Sequence, residues 1–144
     1  MAGETKAGRP ATDGERRLWR AAKAAARNAY APYSRFPVGA ALAADGGGIH
    51  VGVNVENASY PVGLCAERAA LAAAVTAGER RFTAIAIATA DGGAVLPCGA
   101  CLQALAEFGG VTVVTATPDG EVRALPLRAL LTAPFESLRK PPGS

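Results

Sequence analysis

The 144 residues suit one domain, and with half of them hydrophobic and 19% charged the chain can bury a core, which excludes an intrinsically disordered polymer. No apolar run approaches the roughly 20 residues that cross a bilayer, and the start MAGETKAGRPATDGE lacks a signal-like apolar segment; a cytoplasmic protein with no membrane partner is expected. The formal charge of +3 raises nucleic acid as a partner, but Arg16, Arg20, Lys23 and Arg27 recur at helical spacing opposite Leu18, Ala22, Ala25 and Ala29, the pattern of a solvated helix face rather than a basic channel.

Residues 1–12 are small and polar and read as a disordered arm. Thr12 or Asp13 is placed to cap a helix running to about Ala29. The stretch PVGAALAADGGGIHVGVNVE predicts two strands joined by a glycine-rich turn. In the second strand Val51, Val53 and Val55 alternate with Gly52, Asn54 and Glu56, which predicts a core face of valines and an opposite polar face. Asn54 and Glu56 then project to the same side. After the loop NASYPVG, the alanine-rich CAERAALAAAVTAG predicts a helix beginning at Cys65 and stopping at Gly78. FTAIAIATA predicts a short apolar strand and DGGAVLP a loop. CGACLQALAEF predicts a helix beginning near Cys98 and closed by Gly109 and Gly110. VTVVTAT, the turn PDG and EVRAL predict a last strand pair, followed by a short helix around residues 127–131. Residues 137–144, ending KPPGS, read as a flexible tail, so the folded domain is expected over residues 13–136. Strands alternating with helices predict an α/β fold with a partly parallel, helix-covered sheet.

Only three cysteines and one histidine occur, an odd thiol count that argues against a disulfide framework. The cysteines fall in one constellation, Cys65-Ala66-Glu67-Arg68 followed later by Pro97-Cys98-Gly99-Ala100-Cys101. Each half sits at a predicted helix start, where unpaired N–H groups and the positive end of the helix dipole favour thiolates. Three thiolates converging from two first turns leave the fourth tetrahedral position of a Zn²⁺ ion to water, the catalytic arrangement. Glu67, two residues beyond a ligand, is in reach of that water as a proton shuttle. A His or Cys ligand, one residue, a Glu and a later Pro-Cys-x-x-Cys together form the signature of zinc deaminases acting on nucleobases. Three thiolates give the site a formal charge of −1, and Arg68 is the candidate donor that offsets it. His50, beside the hairpin turn, is expected to be an ordinary strand or surface residue.

From about residue 16 to 135 the sequence resembles the small, three-cysteine cytidine deaminases. The matching stretches are AYAPYSRFPVGAAL, GVNVENASYPVGLCAERAAL and PCGACLQALAEF. The resemblance implies a single-domain α/β/α sandwich with a mixed five-stranded sheet and a homotetramer whose base pockets are completed by neighbouring subunits. It implies one zinc ion per subunit on Cys65, Cys98 and Cys101, with Glu67 as acid and base. Phe36 would pack on the pyrimidine, Asn54 and Glu56 would hydrogen-bond the ribose, and the Ala66 N–H would contact the base carbonyl. Tyr60 and Phe135 match positions that reach toward an adjacent subunit's site. The family usually carries Cys-x-x-Cys-Arg-Gln; here Leu102 replaces that arginine before Gln103, which implies weaker compensation of the thiolate charge.

The function expected is therefore hydrolysis of cytidine and deoxycytidine to uridine and deoxyuridine with release of ammonia, in pyrimidine salvage. Glu67 would relay a proton to ring N3 and then to the departing amine. A deaminase of a cytosine nucleoside antibiotic such as blasticidin S is the nearest alternative, and a closed structural zinc module without catalysis is the non-enzymatic one.

Overall fold

The computed structural model describes residues 8–137. The elements follow the expected order, with one addition. A two-residue strand β1 (Arg9–Pro10) precedes helix α1 (Asp13–Ala25), strands β2 (Val38–Ala44) and β3 (Ile49–Val53), helix α2 (Ala66–Thr76), strand β4 (Phe82–Thr89), helix α3 (Gly99–Ala106) and strands β5 (Thr112–Ala116) and β6 (Val122–Pro126). The short final helix is a single 3-10 turn, Leu127–Ala129. Another 3-10 turn, Ala26–Asn28, extends α1 nearly to the predicted end.

The strands form one sheet in the order β1-β6-β5-β4-β2-β3. Only the β4–β5 pair is parallel; the others are antiparallel. The sheet thus has six strands rather than five, because part of the supposed arm is ordered. Arg9 and Pro10 pair with Ala124 and Arg123, Ala11 N–H donates to Val122 O, and the Arg9 guanidinium forks onto Glu15 at 2.7 and 2.8 Å. A proline is tolerated there because an edge strand does not need its N–H. Residues 1–7 of the expected arm and 138–144 of the expected tail lie outside the described residues.

Helix α1 starts as its sequence directs. The Thr12 hydroxyl accepts from Glu15 N–H while the Glu15 carboxylate accepts from Thr12 N–H, a capping box. Its buried stripe, Leu18 and Ala22, continues into Ala26 and packs on Ala41, Ala84, Ala86 and Ala88. The opposite face of the sheet carries the larger side chains, Leu42, Ile85, Ile87 and Val113, under Leu71 of α2 and Leu102 and Leu105 of α3. The result is an α/β/α sandwich, with α1 close over an alanine layer and α2 and α3 over a bulkier one. Among the described residues no helix is long and apolar enough to cross a membrane.

Two glycines of the β2–β3 hairpin let helices approach from opposite sides. A Cβ on Gly39 would lie 2.0 Å from Ala22 O of α1, and one on Gly52 would lie 2.3 Å from Ala70 N and 2.6 Å from Ala66 O of α2. Gly52 therefore seats the first turn of α2 directly on β3. This reverses the expected facing of that strand. The side carrying Gly52 is turned inward to α2, while Ile49, Val51 and Val55 are about half exposed. The alternation is present; what differs is the coverage, because α1 lies over β2 and β4 and leaves the apolar side of the edge strand open.

Candidate active site

Cys65 and Cys98 are the N-cap residues of α2 and α3, both in extended conformation and neither closing a side-chain cap on its own helix. Cys101 lies in the first turn of α3 and is fully buried. The sulfurs of Cys65 and Cys98 are 3.9 Å apart, those of Cys98 and Cys101 3.5 Å, and all three lie within 4.8 Å of one another. Zinc–sulfur bonds of about 2.3 Å at tetrahedral angles set ligand sulfurs about 3.8 Å apart, so the cluster has the right span for one ion. The three cysteines are free thiols.

The electrostatics of Cys98 and Cys101 differ. Burial disfavours the Cys98 thiolate, but the N–H groups of Cys101 and Ala100 and the neighbouring thiols outweigh it and lower the thiol's pKa. Cys101 departs from the expectation that all three ionise readily: burial, then the Glu67 carboxylate, push its thiol well above the ordinary range. Such a thiol ionises only against a strong local positive charge, which a divalent ion supplies. Arg68 supplies part of that charge. Its Nη2 donates to Cys65 Sγ at 3.7 Å, and bonding to the Cys65 and Cys101 sulfurs holds the guanidinium firmly protonated. Leu102 points away from this chemistry and into the core beside α2 and β4.

Glu67 is only 3% exposed, in the first turn of α2. Burial raises its carboxyl above the usual carboxylate range, which suits a group that takes up and returns a proton. Ala66, the first helical residue, is buried beside it, and a first-turn N–H has no acceptor within its own helix.

Phe36, Asn54 and Glu56 come together through the loop before β2. The Asn54 side chain accepts from Val38 N–H and donates to Phe36 O, both at 2.9 Å. Glu56 Oε1 accepts from the N–H groups of Tyr33 and Ser34 at 2.9 and 3.0 Å, Oε2 accepts from the Ser34 hydroxyl, and the Ser34 contacts hold the Glu56 carboxyl below its ordinary range. Asn54 and Glu56 therefore brace the loop, yet Asn54 keeps one donor and one acceptor and Glu56 about one lone pair for a ligand. A cleft of about 380 Å³ opens here, lined by Tyr33, Ser34, Glu56, Asn57, Tyr60 and Gly63. Tyr33 and Tyr60 meet edge to face, with ring centroids 5.9 Å apart.

Tyr60 and Phe135 are strongly exposed, at 75% and 79%; Tyr60 lines the cleft, and the Phe135 backbone is held by the Gln103 side chain. His50 lies in β3 with Nε2 4.0 Å from Glu79 Oε1, apart from the cluster of three thiols. Sequence reasoning missed Ser34 and Gln103. Ser34 carried no signal beyond its place in AYAPYSRFPVGAAL, and the partners of Gln103 lie 32 residues away.

Comparison with known proteins agrees with this geometry. Residues 13–117 match the family described as the cytidine and deoxycytidylate deaminase zinc-binding region. The chain is similar to a cytidine deaminase of Sporosarcina psychrophila, 44% identical over 115 residues that cover 78% of this chain and 85% of the relative. A cytidine deaminase of Mycobacterium tuberculosis is 45% identical over 111 residues, covering 77% and 81%. Among solved structures, the cytidine deaminase from Burkholderia pseudomallei superposes with a TM-score of 0.77 at 46% identity, over 87% of this chain and all of that one.

Proposed function

The chain belongs to the cytidine and deoxycytidylate deaminase zinc-binding family, and from that premise we propose that it hydrolyses free cytidine and deoxycytidine to uridine and deoxyuridine, releasing ammonia. The observation that carries this reading is the convergence of three thiols from the first turns of α2 and α3 beside a buried glutamate. Cys65, Cys98 and Cys101 hold the zinc ion, and Arg68 tempers the thiolate charge through the Cys65 sulfur. Zinc supplies the Lewis acidity that makes water a competent nucleophile at neutral pH. Glu67 takes one proton from the attacking water to ring N3, where it stays, and then moves the remaining hydroxyl proton to the departing amine as the C4 carbonyl forms, so one water is consumed and ammonia leaves.

The Ala66 N–H is assigned to the base carbonyl, Phe36 to the pyrimidine face, and Asn54 and Glu56 to the ribose. The spare bonding capacity of Asn54 and Glu56 supports the sugar assignment, and a sugar subsite favours nucleosides over the free base. Tyr60 and Phe135 are assigned to an adjacent subunit's site in a homotetramer. The uncovered side of β3, with Ile49 and Val51, and the exposed Tyr60, Val62 and Phe135 support burial of this surface against further copies of the chain. A role in pyrimidine salvage in the cytoplasm is the setting proposed for this free-nucleoside activity.

Loss of cytidine absorbance with zinc-loaded protein tests the reading, run beside deoxycytidine, cytosine, CMP and blasticidin S. Turnover of the two nucleosides is expected. Turnover of blasticidin S alone would replace the substrate assignment, and zinc binding without turnover of any of them would overturn the enzymatic one.

A further inference from the structure

We infer that Ser34 is a positioning residue that links the sugar-binding and base-binding parts of the site; the inference rests on the nucleoside reading above. The Ser34 hydroxyl stands at a junction. It donates to Glu56 Oε2 and accepts from Phe36 N–H at 3.1 Å, while the Ser34 N–H donates to Glu56 Oε1. One side chain therefore fixes the remaining acceptor direction of Glu56 and the backbone of Phe36 together. The residue between them, Arg35, has a φ of 54°, a left-handed conformation that a non-glycine side chain adopts only where its surroundings enforce it. Those surroundings are the hydrogen bonds on either side: Tyr33 and Ser34 to Glu56, and Phe36 to Ser34 and Asn54.

The arrangement has a chemical consequence. A carboxylate free to rotate offers any of its lone pairs to a sugar hydroxyl, and a loop free to uncurl carries Phe36 off the ring. With three acceptor positions of Glu56 filled by Tyr33 and Ser34, the carboxylate is locked before substrate arrives, and the base-facing loop is locked by the same hydroxyl. Binding then requires little reorganisation. Ser34 touches no reacting atom in this scheme, so its loss weakens binding while leaving the chemical step largely in place.

The test compares the parent protein with Ser34→Ala and Ser34→Thr on cytidine and on 2′,3′-dideoxycytidine, which lacks the sugar-ring hydroxyls. For Ser34→Ala, KM for cytidine is expected to rise about tenfold, the loss of one hydrogen bond to a charged group, with kcat changed less than threefold. The rise for dideoxycytidine is expected to be smaller, and Ser34→Thr to restore much of the parent KM. A double-mutant cycle with Glu56→Gln is expected to be non-additive. An active parent whose KM for cytidine is unchanged by Ser34→Ala, or raised equally for both nucleosides, overturns the inference alone. A parent that does not process cytidine overturns the nucleoside reading and this inference with it.

Discussion

The side-chain amide of Gln103 closes two hydrogen bonds on Phe135, Nε2 donating to Phe135 O and Oε1 accepting from Phe135 N–H, each at 2.9 Å. Gln103 lies on α3 two residues beyond Cys101, so the helix that presents two of the thiols also holds the backbone of the exposed Phe135. Gln103→Leu keeps the helix and removes the clasp. The expected outcome is a several-fold rise in KM for cytidine, on the order of one lost hydrogen-bonding pair, with faster chymotryptic cleavage after Phe135. Unchanged KM and unchanged cleavage would show that the segment is held without Gln103.

Glu67 and the cysteines separate by their metal content. Glu67→Gln is expected to retain one zinc per chain and to lose turnover by about 10²- to 10⁴-fold, the usual contribution of a positioned acid and base. Cys98→Ala is expected to lose both zinc and activity, since two thiolates remain. Zinc content by elemental analysis beside the rate decides it; a Glu67→Gln protein that still turns over would assign the proton transfer elsewhere.

Gly52 faces the first turn of α2 at a distance no side chain tolerates. Gly52→Ala would place a methyl group 2.3 Å from Ala70 N and 2.6 Å from Ala66 O, both backbone atoms, so the helix carrying Cys65 and Glu67 must move. The expected cost is about 1–3 kcal/mol of stability, read as a lower Tm, together with weaker zinc retention. Gly46→Ala in the hairpin turn, with nothing within 4 Å of the added carbon, serves as the control.

The Arg9–Glu15 pair makes stability depend on acid. The Arg9 guanidinium first, and the capping contacts with Thr12, hold the Glu15 carboxyl at about 2 against an ordinary 4.5. A depressed pKa contributes stability that is fully present above the unfolded value and is lost as pH falls through the folded one. Between about pH 4.5 and 2 the parent is therefore expected to lose Tm faster than Glu15→Gln. Parallel Tm curves for the two proteins over that window would remove the pair from the acid response.

The chemistry-bearing residues were legible because their signals are local. Thr12 was readable as one of two candidate caps of α1, its capping box with Glu15 emerging only in the structure, and Cys65 and Cys98 stand at the starts of the two predicted helices. The spacing of Glu67 from Cys65 then placed a carboxylate beside the sulfurs without knowledge of the fold. The alternation of Val51, Val53 and Val55 was equally clear, but a period of two identifies two faces without naming the buried one.

What the sequence by itself determined, then, was the order of the main elements and the two helix starts that carry the candidate metal ligands, each fixed by interactions within a turn or two of the chain; bringing Cys65 to Cys98, 33 residues away, took the fold. Tertiary structure alone decided the rest. Pairing with β6, more than 110 residues away, turned Arg9 and Pro10 into a sixth strand. Close approach of α2 to Gly52 set the inward face of β3. Ser34 and Gln103 gained their roles only when partners 22 and 32 residues distant arrived. Such contacts depend on which surfaces the packed helices cover and which they leave open, and that is a property of the assembled layers rather than of any window of sequence.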